Sequence, residues 1–133
     1  TDLMLVCSSV SPVALGGIDR AAADFRELGE RAAKRGLRVG YEALAWGRHV
    51  NDHRDAWEVV RRADHPNVGL ILDSFHTLAR RIDVESIRVT CWQAATAAGM
   101  SLTASWVCRA RVAVAITIRC SECSARWASA GAR

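Results

Sequence analysis

With 133 residues, half of them hydrophobic and 24% charged, the chain has room for one domain and the make-up of an ordinary globular protein, which excludes a disordered or fibrous class. The formal charge of +4 is unevenly placed: residues 1–87 hold 12 Lys and Arg against 13 Asp and Glu, whereas residues 88–133 hold six Arg and one acid, Glu122. The balanced front part has no basic stripe with interleaved aromatics, and nowhere do 18 apolar residues run together, so neither nucleic acid nor a membrane is an expected partner.

The segment Thr1-Asp-Leu-Met-Leu-Val-Cys7 carries an acid where a secretory signal carries its cations, and its apolar run is too short for one. A soluble, cytoplasmic protein is expected. Leu3–Cys7 reads as a strand buried on both faces, as parallel strands covered by helices are. After a loop with Pro12, Gly16 and Gly17, residues 19–35 read as a helix. Ala22, Phe25, Leu28, Gly29 and Ala32 share its inner face, and Gly36 is its stop. Arg38-Val-Gly-Tyr-Glu-Ala-Leu44 supplies a second strand. Asp52 can cap the next helix, with Ala56, Val59, Val60 and Ala63 facing inward, and Asp64-His-Pro66 closes it. Val68-Gly-Leu-Ile-Leu-Asp-Ser74 is a third strand.

Three strands alternating with two helices form two right-handed βαβ units, hence a parallel sheet. A closed barrel of eight such units needs about 250 residues, so this is either a small open sheet or a section of a barrel. Glu42 and Asp73 end adjacent strands and should emerge side by side at one sheet edge. That edge is where parallel folds place ligands, and two neighbouring carboxylates there suit a divalent cation. Read alone, the same acids are more often only helix caps or loop residues. His49, His53 and His65 read as solvated loop or helix-end residues, Trp57 as helix packing, and Arg61, Arg62, Arg80 and Arg81 as solvated surface, with one acid-binding Arg conceivable among them.

Tyr41-Glu-Ala-Leu-Ala-Trp-Gly-Arg-His-Val-Asn-Asp52, then Asp55-Ala-Trp57 and Asp64-His-Pro-Asn-Val-Gly-Leu-Ile-Leu-Asp-Ser-Phe-His76, resembles the bacterial 3-dehydroshikimate dehydratases of quinate and shikimate catabolism. These are xylose isomerase-like TIM barrels of the sugar-phosphate isomerase/epimerase group. The resemblance covers about residues 1–88, the middle of such a barrel. It implies a lyase that dehydrates 3-dehydroshikimate, its small acidic substrate, to protocatechuate. It also implies one divalent cation, Mg, Mn or Co, held by two Glu, one Asp and one Gln. Glu42 and Asp73 match the first Glu and the Asp, and His76 matches a histidine beside the metal, the catalytic candidate. Taking a proton next to a ketone builds enolate charge that a Lewis acid stabilises, and a histidine can move the proton or bind substrate. Both roles stay open for His76. Trp46, Arg48 and His49, in the loop after Glu42, are the expected substrate-binding residues.

The tail departs from this pattern. Asp83–Arg88 suits a further helix, but Gln93 lies in no motif comparable to the family's Gln ligand. Residues 88–133 contain no Asp, Asn, His, Lys, Pro, Phe or Tyr, yet hold four of the five Cys and three of the five Trp. Such a bias is that of an out-of-frame reading of a GC-rich gene, so a frameshift near residue 88 is expected, dividing the chain into barrel units (1–88) and an atypical tail (89–133). Cys91, Cys108, Cys120 and Cys123 include one CxxC, but the first pair is widely spaced and no histidine accompanies them, a weak zinc pattern. Residues 92–100 suit a helix and 109–118 a strand.

Two classes of function remain. One is an enzyme fragment, a dehydratase or else a sugar-phosphate isomerase or epimerase. Such a fragment would lack part of its metal set and be inactive alone, with unpaired strand edges prone to self-association. The other is a small non-catalytic α/β interaction module.

Overall fold

Five-residue apolar runs form the strands and amphipathic segments the helices. A computed structural model describes residues 2–83, 85–87 and 116–118. In chain order the elements are β1 (Leu3–Cys7), α1 (Ile18–Ala33), β2 (Arg38–Glu42), α2 (His53–Ala63), β3 (Val68–Leu72), α3 (Ser74–Ala79) and β4 (Ile116–Ile118). Residues 85–87 are helical. The four Cys of the tail, Gln93 and the expected helix over 92–100 lie outside the described residues.

The helix ends follow local chemistry. Asp52 turns its carboxylate onto the Arg54 amide at 2.8 Å, satisfying a donor of the first turn of α2. Beyond α1 the chain turns through Gly36 at φ +67°, a conformation that glycine adopts without the steric cost of a Cβ.

Strands β1, β2 and β3 are parallel and adjacent in that order, with Cys7 opposite Glu42 and Glu42 opposite Ile71. Alternation along each strand sends Val39, Tyr41, Val68, Leu70 and Leu72 into the layer under α1 and α2, where Phe25, Ala56, Val59 and Ala63 meet them. Phe25 packs on Tyr41 with ring centroids 4.2 Å apart, and burial pushes the Tyr41 phenol up to about 12. The other face carries Leu5, Gly40, Glu42 and Ile71, and at its Glu42 end α3 brings His76 within 3.9 Å of that carboxylate.

β1 is therefore only half covered. Its Met4 and Val6 pack on the core, but Leu5 is 55% exposed, against the expectation of burial on both faces. The cause is position: β1 is the sheet's edge. A second departure is β4, which pairs with β3 in the antiparallel sense, Ile71 opposite Thr117. A strand from within 109–118 thus occupies the β3 edge that was expected to lie unpaired.

Two histidines expected in solvent are buried. His65, 7% exposed, accepts the Asn67 amide at Nδ1 (3.1 Å) and puts Nε2 3.3 Å from Glu30, filling the space above Gly29 where a Cβ would lie 2.5 Å from its ring. His53, 6% exposed, sits beneath α3. No helix among the described residues is long and apolar enough to cross a membrane.

Candidate metal centre

Glu42 is the last residue of β2 and Asp73 the first after β3, so strand register places both on the same face at the same end of the sheet. Glu42 is 9% exposed. Its Oε2 accepts the Cys7 thiol at 3.5 Å across the β1–β2 register. Burial, then that bond to the carboxylate, pushes the thiol pKa up, so Cys7 stays protonated and donates.

Asp73 divides its two oxygens. Oδ1 accepts the Phe75 amide at 2.8 Å and caps α3, while Oδ2 faces His76 Nε2 at 4.0 Å. Glu42 Oε1 lies 3.9 Å from the same nitrogen. One ligand atom from each of Glu42, Asp73 and His76 can be drawn into a group no wider than 4.8 Å. Among the described residues, no Lys or Arg lies within 4 Å of either carboxylate to neutralise it. Two partly buried carboxylates converging without a cationic partner fit a hard divalent ion, which takes oxygen ligands.

His76 stands differently. Its Nδ1 accepts the backbone N–H of Ala45 at 3.1 Å, so the proton of the neutral ring is on Nε2, the atom that faces both carboxylates. In this tautomer the imidazole is a hydrogen-bond donor at the site and has no lone pair there for a metal.

Around the mouth stand aromatic rings. Trp46, 60% exposed, lies 5.2 Å from His76 and 6.2 Å from Phe75 between centroids, and Phe75 lies 5.2 Å from His76, all edge to face. Phe75 is absent from the sequence reading, though its place between Asp73 and His76 was the available signal. Arg48 and His49 are exposed and engage the β1–α1 loop: the Arg48 amide donates to Ser9 O at 2.8 Å, and His49 Nε2 donates to Ala14 O at 2.8 Å. The His49 ring lies over Gly16, where a Cβ would come within 2.0 Å of it. The structure thus brings Trp46, His76, Glu42 and Asp73 together, and uses the Arg48 backbone and the His49 side chain to hold two loops against each other.

A family model described as xylose isomerase-like TIM barrel matches residues 2–99. The 3-dehydroshikimate dehydratase of Pseudomonas putida is 60% identical over 88 residues, 66% of this chain and 14% of that protein. The Pseudomonas aeruginosa protein of the same name is 66% identical over 79 residues, 59% of this chain and 12% of that one. A solved xylose isomerase-like TIM barrel/4-hydroxyphenylpyruvate dioxygenase fusion protein superposes with a TM-score of 0.64 at 59% identity, over 66% of this chain and 14% of its own. The chain thus spans about one seventh of the length of these relatives.

Proposed function

The chain belongs to the xylose isomerase-like TIM barrel family, and on that premise we propose that it carries part of the metal corner of a 3-dehydroshikimate dehydratase. The observation that carries the reading is the convergence of Glu42 and Asp73, with no cationic partner among the described residues, inside a segment 60% identical to an enzyme of that name. Its fold is then a partial barrel of three parallel βα units, residues 1–88, and the atypical tail is 89–133.

Glu42 and Asp73 would hold a divalent cation such as Mg, Mn or Co. When bound, such an ion would supply Lewis-acid stabilisation of the enolate charge that builds as a proton is taken next to the ketone. The chain's own residues do the rest. Glu42 is held in place by the Cys7 thiol, and Asp73 by its cap on α3. His76, neutral with its proton on Nε2, donates a hydrogen bond toward a substrate oxygen, the role of a neutral imidazole electrophile. Trp46 and Phe75 offer apolar ring surface to a flat six-membered ring and exclude water on that side.

Neither the Gln nor the second Glu expected in such a set has a counterpart among the described residues. Hence the chain alone should bind metal weakly and form no product. One observation favours the second reading, a non-catalytic α/β module: the antiparallel β4 occupies the edge where a barrel's next parallel strand would pair. Incubation with Mn2+ and 3-dehydroshikimate, followed by absorbance of protocatechuate, separates them. Metal binding without product is expected. Product from this chain would contradict its incompleteness, and absence of both binding and product from a stable monomer would favour the module.

A further inference from the structure

Helix α3 carries the site's third group and begins at its second, yet it is only six residues long, far below the length at which a helix holds itself in water. Its placement has to come from tertiary contacts. It buries a single residue, Thr77, 4% exposed, whereas Phe75 and Leu78 on either side are mostly in solvent. The Thr77 hydroxyl lies 3.4 Å from Nδ1 of His53, the first residue of α2. We propose that His53 is a positioning residue for the Glu42–Asp73–His76 site: a buried imidazole that pins α3 to α2 and thereby fixes where Asp73 and His76 stand. The functional weight of this rests on the dehydratase reading; the contact does not.

The polarity of the link follows from counting protons. The Ser86 hydroxyl donates to Asp83 O, so its oxygen, 3.3 Å from His53 Nε2, accepts the Nε2–H. Nδ1 of the neutral ring then accepts from Thr77. One ring thereby joins three successive pieces of chain: the start of α2, the middle of α3 and the helical turn at 85–87. Asp52 and His53 line one small cavity together with Asp73, His76 and Thr77, so the two groups of side chains are neighbours. Burial favours the neutral ring that this arrangement needs.

Amide hydrogen exchange, read by NMR on the full chain, tests the link. The reporters are the Phe75 amide, bonded to Asp73, and the Ala45 amide, bonded to His76, each referred to Leu70 in the middle of β3. Thr77→Val, which keeps the side-chain shape and removes the hydroxyl, and His53→Ala should each speed exchange at Phe75 and Ala45 by about tenfold relative to Leu70, the loss of one buried hydrogen bond read locally. His53→Asn, whose carbonyl oxygen can stand in for the Nδ1 acceptor, should restore protection. Val59→Ala, a core truncation on α2 away from α3, should move all three amides in step. Unchanged Phe75 and Ala45 exchange in Thr77→Val, or a change only in step with Leu70, would overturn the proposal. If His53→Ala does not fold, Thr77→Val decides alone. Mn2+ titration of the unaltered chain reports separately on the metal reading and leaves the exchange result standing.

Discussion

Asp73 shows how one residue serves two ends. Its Oδ1 caps α3 and its Oδ2 is turned into the site, so the helix-cap and metal-ligand readings of the sequence are both compatible with the geometry. Glu42 has no such second duty: it is a mostly buried carboxylate whose side-chain donor is a thiol. A charge buried for function costs stability. Glu42→Gln should therefore raise the melting temperature of the metal-free chain, by about 4–8 °C if roughly 1 kcal/mol is recovered, while removing a proposed metal ligand. Calorimetry would show it, and a lower melting temperature would refute the cost. His53 sets a pH dependence. Burial lowers its pKa from the ordinary 6.5, outweighing nearby Asp52, which pulls it up; Arg54 adds to the lowering. The unfolded chain takes up a proton near 6.5 and the folded chain only lower, so this contribution is complete above about pH 6.5 and is lost as pH falls below it. Urea midpoints between pH 7.5 and 5.5 should decline in the native chain and decline less in His53→Asn. Glu42 and Asp73 were legible as carboxylates at strand ends, and His76, inside α3, only through the family resemblance. The burial of His53 and His65 was not, because each lies at a helix end that sequence marks as exposed, and only the packing of α3 and of Gly29 against them covers the rings.

At the scale of elements, local chemistry and core packing make separable contributions. Asp52 caps α2 through one hydrogen bond, and Asp52→Ala should cost about 1 kcal/mol. Leu70 is fully buried in the central β3, and Leu70→Ala should cost roughly 2–5 kcal/mol through lost burial and the cavity left behind. Chemical denaturation gives both values; equal costs would mean that the β3 layer is not the core. The three βα units were readable because apolar runs and helical periodicity report elements directly. What the pattern could not report is the neighbour of each element. β1 is as apolar as β3, yet Leu5 is 55% exposed where Ile71 on the same face is buried, because β1 is an outer strand of the sheet and β3 lies between two others. The antiparallel sense of β4 was invisible for the same reason: a short apolar run carries no direction.

For the whole molecule the consequence is a sheet whose outer strands, among those described, are β1 and β4. Leu5 of β1 is 55% exposed, and an apolar side chain exposed on an outer strand favours association. Sedimentation velocity should show association rising with concentration, and Leu5→Lys should reduce it; a monomer at all concentrations would mean that β1 is covered. The proposed division near residue 88, as a frameshift, has its own test in the underlying DNA. If neither shifted frame restores a strand with a Gln-containing motif and a later Glu, the frameshift is wrong. The measurement that bears most directly on the site is calorimetric titration of Mn2+ into the full chain, Glu42→Gln and Asp73→Asn, the last retaining a side chain that can cap α3. The native chain should bind one ion with a Kd on the order of 10⁻⁴–10⁻³ M, weak as befits a partial ligand set, and each substitution should weaken binding about tenfold or more. Isotherms that are the same for all three proteins would contradict a metal centre built on Glu42 and Asp73.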